Sequence, residues 1–295
     1  MTEHTPPPQP ISFDTILPPA MALRAEAGGV ARAALNPLTV FVLSLLAGAF
    51  ISFGAIFATT VGAIGIGVDA SIPYGIMRLL TGVVFCAGLI MVIIGGAELF
   101  TGNNMLVMAW ASGKVTTRAV LTNWVIVFTG NFIGAIATAV LVFLSTQYTF
   151  GGGSVGLNAL MIANGKTALA PGPAFVLGML CNVLVCLAVW MCYSARTNID
   201  RVVTVVPPIS IFVAAGFEHS IANIYFIPMG LFIKSGAPDS FWAAIGSSPA
   251  DFPALTWDNF IIANLIPVTA GNIVGGSVMV AAVYWFVYLR KSPQA

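Results

Sequence analysis

Long apolar stretches dominate the chain, and polar positions collect in the short segments between them. Crossing a bilayer as a helix takes about 20 predominantly apolar residues. Six places supply them: 38–61, a stretch inside 79–108, 120–144, 174–193, a stretch inside 202–233, and 260–289. Ahead of the first, residues 19–36 carry Arg24, Glu26 and Arg32 among alanines and leucines, the pattern of a short amphipathic helix at the interface. Residues 1–18 are polar and proline-rich, with no basic start running into an apolar stretch. They are expected as a disordered tail rather than a signal peptide. Residues 37–295 are expected to form one transmembrane domain.

Composition agrees. The chain has 295 residues, of which 58% are hydrophobic and only 7% charged, against roughly a quarter charged for a soluble domain. So few charges cannot cover a solvated surface, and the expectation is an all-α integral membrane protein. A net charge of +1 leaves no basic field for nucleic acid. The four cysteines (Cys86, Cys181, Cys186, Cys192) lie inside apolar runs without zinc-type pairing, so they read as buried thiols, and neither a metal nor a cofactor is expected. Six spans put both termini on one side. Arg24, Arg32, Lys114, Arg118, Arg196, Arg201, Arg290 and Lys291 fall on that side. Arg78, Lys166 and Lys234 fall opposite, with Asp69, Asp239, Asp251 and Asp258. By the positive-inside rule the termini are expected to be cytoplasmic, in a bacterial-type inner membrane.

The chain also repeats itself. The third span carries Asn123-x6-Gly130-Asn131-x2-Gly134 and the sixth Asn264-x6-Gly271-Asn272-x2-Gly275. The second carries Gly96-x-Glu98-x4-Asn103 and the fifth Gly216-x-Glu218-x4-Asn223. Two patterns in the same order make spans one to three correspond to spans four to six. An odd number of spans per half implies an inverted repeat, 3+3. The second and fifth spans are interrupted at matching points by small residues and a glutamate, which predicts helices broken near the midplane. Each break presents a fresh helix N-terminus, near Thr101 and near Ser220, with unpaired N–H groups that favour an anion. Glu98 and Glu218 are then expected as braces that accept loop backbone hydrogen bonds, with a proton relay as the sharper alternative. His219, set beside Glu218 inside the fifth span, is either a functional proton-exchanging group or a structural pin. His4, in the tail, needs no function.

The motifs GAELFTGN (96–103), LGMLCN (177–182), GFEHSIAN (216–223) and NLIPVTAGNIVGG (264–276) resemble the formate/nitrite transporters over nearly the whole chain after the tail. That resemblance implies an aquaporin-like fold, a homo-pentamer with one pore per protomer, and passage of small monovalent anions. Formate is the first expectation, and nitrite or hydrosulfide the alternatives. It also implies that Thr101 lies on the loop interrupting the second helix, facing His219 across the pore. Phe85, Leu89, Leu99 and Phe212 are implied as apolar constrictions, Asn182 as pore-lining, and Lys166, in the outer loop ANGKTALAPG, as a vestibule lysine that draws anions inward. A weak acid could take up a proton to avoid the several kcal/mol that a bare anion loses in such a constriction. Two other classes fit less well. A neutral-solute channel of the aquaporin type would need paired Asn-Pro-Ala motifs, which are missing. A membrane-embedded enzyme using Glu98, Glu218 and His219 would need a nucleophile or metal set, so no catalytic residue is expected.

Overall fold

The computed structural model describes residues 14–63 and 72–290, so His4, Asp69, Lys291 and the tail as far as residue 13 lie outside the described residues. Among the described residues the secondary structure is helical, without strands. Six spans are long and apolar enough to cross a membrane. We label them α2 (Pro37–Gly62), α3 (Tyr74–Ile94), α5 (Thr117–Leu144), α7 (Pro171–Cys192), α8 (Asn198–Ala215) and α11 (Asn259–Tyr288). Shorter helices complete the chain: α1 (Pro18–Ala33), α4 (Val107–Ala111), α6 (Ser154–Thr167), α9 (Ser220–Gly236) and α10 (Asp239–Ile245).

Local chemistry explains where these helices begin. Asn36 accepts from the Leu38 N–H at 2.9 Å and precedes Pro37, whose fixed φ and missing N–H suit the first helical position. Thr116 caps α5 through the Ala119 N–H. Thr197 and Asp200 form a reciprocal capping box at α8. In α11 the turns over Asn259–Leu265 and Val274–Ala282 are π-helical, with the α-helical stretch Ile266–Ile273 between them.

Packing reproduces the internal repeat. Gly130 and Gly134 of α5 meet Ser44 and Leu45 of α2. Gly271 and Gly275 of α11 meet Phe175 and Met179 of α7. A Cβ at Gly134 would collide with the Leu45 carbonyl oxygen, and one at Gly275 with that of Met179. Without a hydrophobic drive between helices in lipid, such close backbone approach supplies the van der Waals contact that holds them. α3 crosses α2 at Gly54 and Gly88, and α8 at Gly82 against Ser210. Helix α1 is packed onto the bundle rather than lying free: Met21, Ala22 and Ala25 are buried, and Glu26 pairs with Lys114.

Residues 163–167, read from sequence as part of an outer loop, are instead the last turns of α6. Glycines and asparagines weaken this segment's intrinsic preference for helix, and tertiary packing overrides it: Gly156 lies against Phe241, and Ala163 against Gly230 of α9.

Gly134→Leu should lower the thermal stability of the purified protein by the equivalent of about 1–3 kcal/mol, with the same penalty for Gly275→Leu. The check is thermal unfolding in detergent, and an unchanged midpoint for either variant would separate that helix pair from the stability of the fold.

Candidate functional site: two broken helices and the pathway between them

Helix α3 ends at Ile94, and the chain resumes helical turns only at Gly102–Leu106, a 3₁₀ stretch leading into α4. Helix α8 ends at Ala215, and α9 begins at Ser220. Both breaks turn on a glycine in the left-handed region, Gly96 at φ +69° and Gly216 at φ +77°. In each, the next residue's N–H reaches back to close the helix end: Ala97 to the Val92 carbonyl (3.0 Å) and Phe217 to the Phe212 carbonyl (2.9 Å).

The following N–H groups leave the broken helix altogether. Glu98 N–H donates to the Leu43 carbonyl of α2 and Glu218 N–H to the Leu177 carbonyl of α7, both at 3.3 Å. One asparagine then clamps each break. Asn131 donates through Nδ2 to the Ser44 and Glu98 carbonyls (2.8 and 2.9 Å) and accepts from the Phe100 N–H at 2.9 Å. Asn272 donates to the Gly178 and Glu218 carbonyls (2.8 and 3.0 Å) and accepts from the Ser220 N–H at 2.9 Å. Both asparagines are fully buried.

The glutamate carboxylates take their bonds from side chains, not from the loop N–H groups expected from sequence. Glu98 Oε2 accepts from Asn103 Nδ2 and Glu218 Oε2 from Asn223 Nδ2, each at 2.6 Å. These straps bridge the two ends of each break. Asn103 and Asn223 in turn donate to Asn123 and Asn264 (3.0 and 2.7 Å). Each carboxylate also meets a cation: Arg32 Nε lies 3.4 Å from Glu98 Oε1, and Lys166 Nζ lies 2.8 Å from Glu218 Oε1. The reason is supply. The N–H groups of Glu98, Phe100, Glu218 and Ser220 are already taken by α2, α7 and the asparagine clamps, and the buried carboxylates draw their donors from side chains.

The second helix segments also start differently from the expectation. His219, not Ser220, is the N-cap of α9: its backbone is extended (φ −111°, ψ 113°) and its Nδ1 accepts from the Ala222 N–H at 3.1 Å. Thr101 makes no cap bond. Its Oγ1 lies 3.0 Å from His219 Nε2, joining the two halves. Because Nδ1 accepts, the proton of the neutral ring sits on Nε2 and is donated to Thr101, which leaves the threonine hydroxyl hydrogen free for another acceptor.

Two cavities approach this pair. One, of about 240 Å³, is lined by Arg32, Leu89, Leu99, Asn103, Tyr193 and Arg201, among others. The other, of about 390 Å³, includes Arg78, Phe85, Lys166, Phe212, His219 and Phe226 in its wall. Thr101 is fully buried and lines neither, while its neighbours Leu99 and Gly102 line the smaller cavity and His219 the larger. Phe85 packs edge-on against Phe212 (5.6 Å between centroids), and Phe212 stacks on His219 at 5.9 Å. The four apolar residues named from sequence therefore divide, Phe85 and Phe212 on one side of the pair and Leu89 and Leu99 on the other. Asn182 is fully buried beside Thr101, lines neither cavity, and donates to the Thr101 carbonyl (3.3 Å) and the Asn272 carbonyl (2.6 Å). Lys166 reaches the larger cavity from a helix, and with its charge already paired.

Sequence reasoning missed Arg32 as the partner of Glu98, Arg78 and Arg201 as cavity-lining cations, and Phe226, which stacks on Phe85 at 6.5 Å. An arginine a few residues inside an apolar helix, as Arg78 is in α3, was the available signal.

Glu218→Gln leaves Lys166 without its counter-charge, and breaking a buried pair in this way is expected to destabilise by about 3–5 kcal/mol. Lys166→Met combined with Glu218→Gln should recover part of that loss. Folded yield and unfolding temperature in detergent are the readouts; a double variant no better than the single would show that the pair is not the source of the penalty.

The formate/nitrite transporter family model matches residues 19–286. The chain is 45% identical to the formate channel FocA of Escherichia coli K12, over 95% of this chain and 97% of that one. It is 38% identical to the formate channel FocA of Haemophilus influenzae, over 92% and 94%. Among solved structures it resembles a pentameric formate channel with formate bound, with a TM-score of 0.80 and 43% identity over 86% of this chain and 98% of that one. It also resembles an ion channel of the same family, with a TM-score of 0.73 and 28% identity over 91% and 98%. A multi-pass membrane protein with two matched breaks and a threonine–histidine contact between two cavities, this chain belongs to the formate/nitrite transporter family.

Proposed function

We propose that this chain is a formate channel that works as a homo-pentamer with a separate pathway in each protomer. The observation that carries the reading is the pairing of Thr101 with His219, with a cavity lined by residues of each break, in a chain 45% identical to a formate channel over nearly its whole length. Its relatives are channels and transporters rather than enzymes. The excess of arginine and lysine on the side of the termini supports an inner-membrane protein with both termini cytoplasmic, and three spans per half support inverted orientation of the halves.

The chemistry follows from the polar pair. A carboxylate at the narrow point exchanges water for aromatic and aliphatic walls, which costs several kcal/mol for a bare charge. The Thr101 hydroxyl offers one hydrogen bond, and the His219 ring aims it. Supplying a proton from the ring would require an imidazolium, hence a proton on Nδ1, and that proton would displace the Ala222 N–H and uncap α9. The geometry therefore favours His219 as a neutral orienting group, with the weak acid taking its proton from water in a cavity. Glu98 and Glu218 serve as braces of the breaks, and Asn182 holds the carbonyl of Thr101.

Three outcomes test this. Proteoliposomes carrying the protein should take up formate faster than nitrite, acetate or chloride; a preference for nitrite would move the chain to the nitrite side of its family. Native mass spectrometry should give five protomers after detergent is removed, and a transport-competent monomer or trimer would contradict the assembly. His219→Asn keeps a good capping residue and loses the bond to Thr101. Flux should fall roughly fivefold, the worth of about 1 kcal/mol, at every pH and with an unchanged shape of the pH profile. A flattened or displaced profile would assign proton exchange to the ring instead.

A further inference from the structure

Each cavity is lined by two cations, and the two are not equivalent. Lys166 and Arg32 are bound to the glutamates of the breaks, at 2.8 and 3.4 Å. The other two, Arg78 and Arg201, form no ion pair among the described residues. Arg78 donates through Nε to the Ala214 carbonyl at 3.0 Å and through a terminal nitrogen to the Val213 carbonyl. Arg201 lies 3.4 Å from the Asn198 side-chain oxygen. Their partners are neutral, and both guanidinium groups keep donors to spare.

The distinction matters for an anion arriving from water. A cation held against a carboxylate presents a dipole, whose field dies within a few ångströms. An uncompensated charge acts over the screening length, about 10 Å at 0.1 M salt. Nor does helix stability account for Arg201. It sits in the first turn of α8, where the helix dipole disfavours a positive charge. The guanidinium plane also matches a small planar anion, whether a carboxylate or nitrite, through two parallel hydrogen bonds.

We propose that Arg78 and Arg201 hold the anion-attracting charge of the two cavities, one on each side of the Thr101–His219 pair, and that Lys166 and Arg32 serve the breaks instead. The inference rests on the channel reading above. Arg78 has a second duty: it caps the last carbonyls of α8, the negative end of that helix. Charge and cap are separable. Arg78→Lys keeps the charge and loses the fork, whereas Arg78→Gln keeps donors for the carbonyls and loses the charge.

The test uses the full-length protein in proteoliposomes, with radiolabelled formate and separately labelled nitrite at low substrate concentration. Initial uptake is measured at an ionic strength of about 0.01 M, where fields reach about 30 Å, and about 1 M, where they reach about 3 Å. Arg78→Gln and Arg201→Gln should each slow uptake about threefold at low ionic strength, in line with electrostatic focusing by a cleft. The double variant should show the product of the two effects, all three should match the wild type at high salt, and Arg78→Lys should track the wild type throughout. Uptake by the wild type that is indifferent to salt would overturn the proposal. So would slowing by the same factor at both salt concentrations, or an Arg78→Lys variant as slow as Arg78→Gln. Should the protein carry nitrite but not formate, the formate reading fails, while the salt signature measured with nitrite still decides this one.

Discussion

Everything in this molecule depends on how a backbone can stop being helical inside a bilayer. With no water in the surrounding lipid, each freed N–H or carbonyl buried without a partner would cost several kcal/mol. The protein answers twice with the same parts: a left-handed glycine, an N–H passed to the neighbouring span, an asparagine that donates twice and accepts once, and a carboxylate strapped to an asparagine five residues on. The close glycine contacts of α5 with α2 and of α11 with α7 bring those asparagines within reach. Packing and break are thus one design: glycines at 130, 134, 271 and 275 set the distance, and Asn131 and Asn272 use it.

Much of this was legible in the chain. The spacing Asn-x6-Gly-Asn-x2-Gly, found twice, already held the clamps, and Gly-x-Glu-x4-Asn held both the turn and the strap. The limits of the first, third, fourth and sixth spans came within about three residues. The second and fifth helices instead start at Tyr74 and Asn198, ahead of the stretches read as apolar, because their first turns carry Arg78 and Asp200 with Arg201. What could not be read was which donor meets which acceptor. Glu98 pairs with an arginine from α1, sixty-six positions earlier, and Glu218 with a lysine at the end of α6, in a stretch that reads as loop. Such pairings are set by tertiary packing and leave no local period. For the same reason the two carbonyls that Asn182 binds, one from each half, could not be read from its motif.

The two halves share the Gly-x-Glu-x4-Asn pattern, and they differ within it. Aligned on the glutamates, His219 stands where the first half has Leu99. One position is apolar in one break and an imidazole in the other, and the cap bond to Ala222 fixes which ring nitrogen faces Thr101. A threonine from one half and a histidine from the other then make a single contact that neither half could make alone.

The asparagine clamps and the glutamate straps hold the backbone of both breaks with the protein's own groups. Stabilisation by a ligand scales with how far its concentration exceeds its dissociation constant, and a pathway built for passage gains little from occupancy. Candidate anions screened by their effect on melting temperature would therefore all look inert, and the natural cargo of such a protein has to be recognised by its movement.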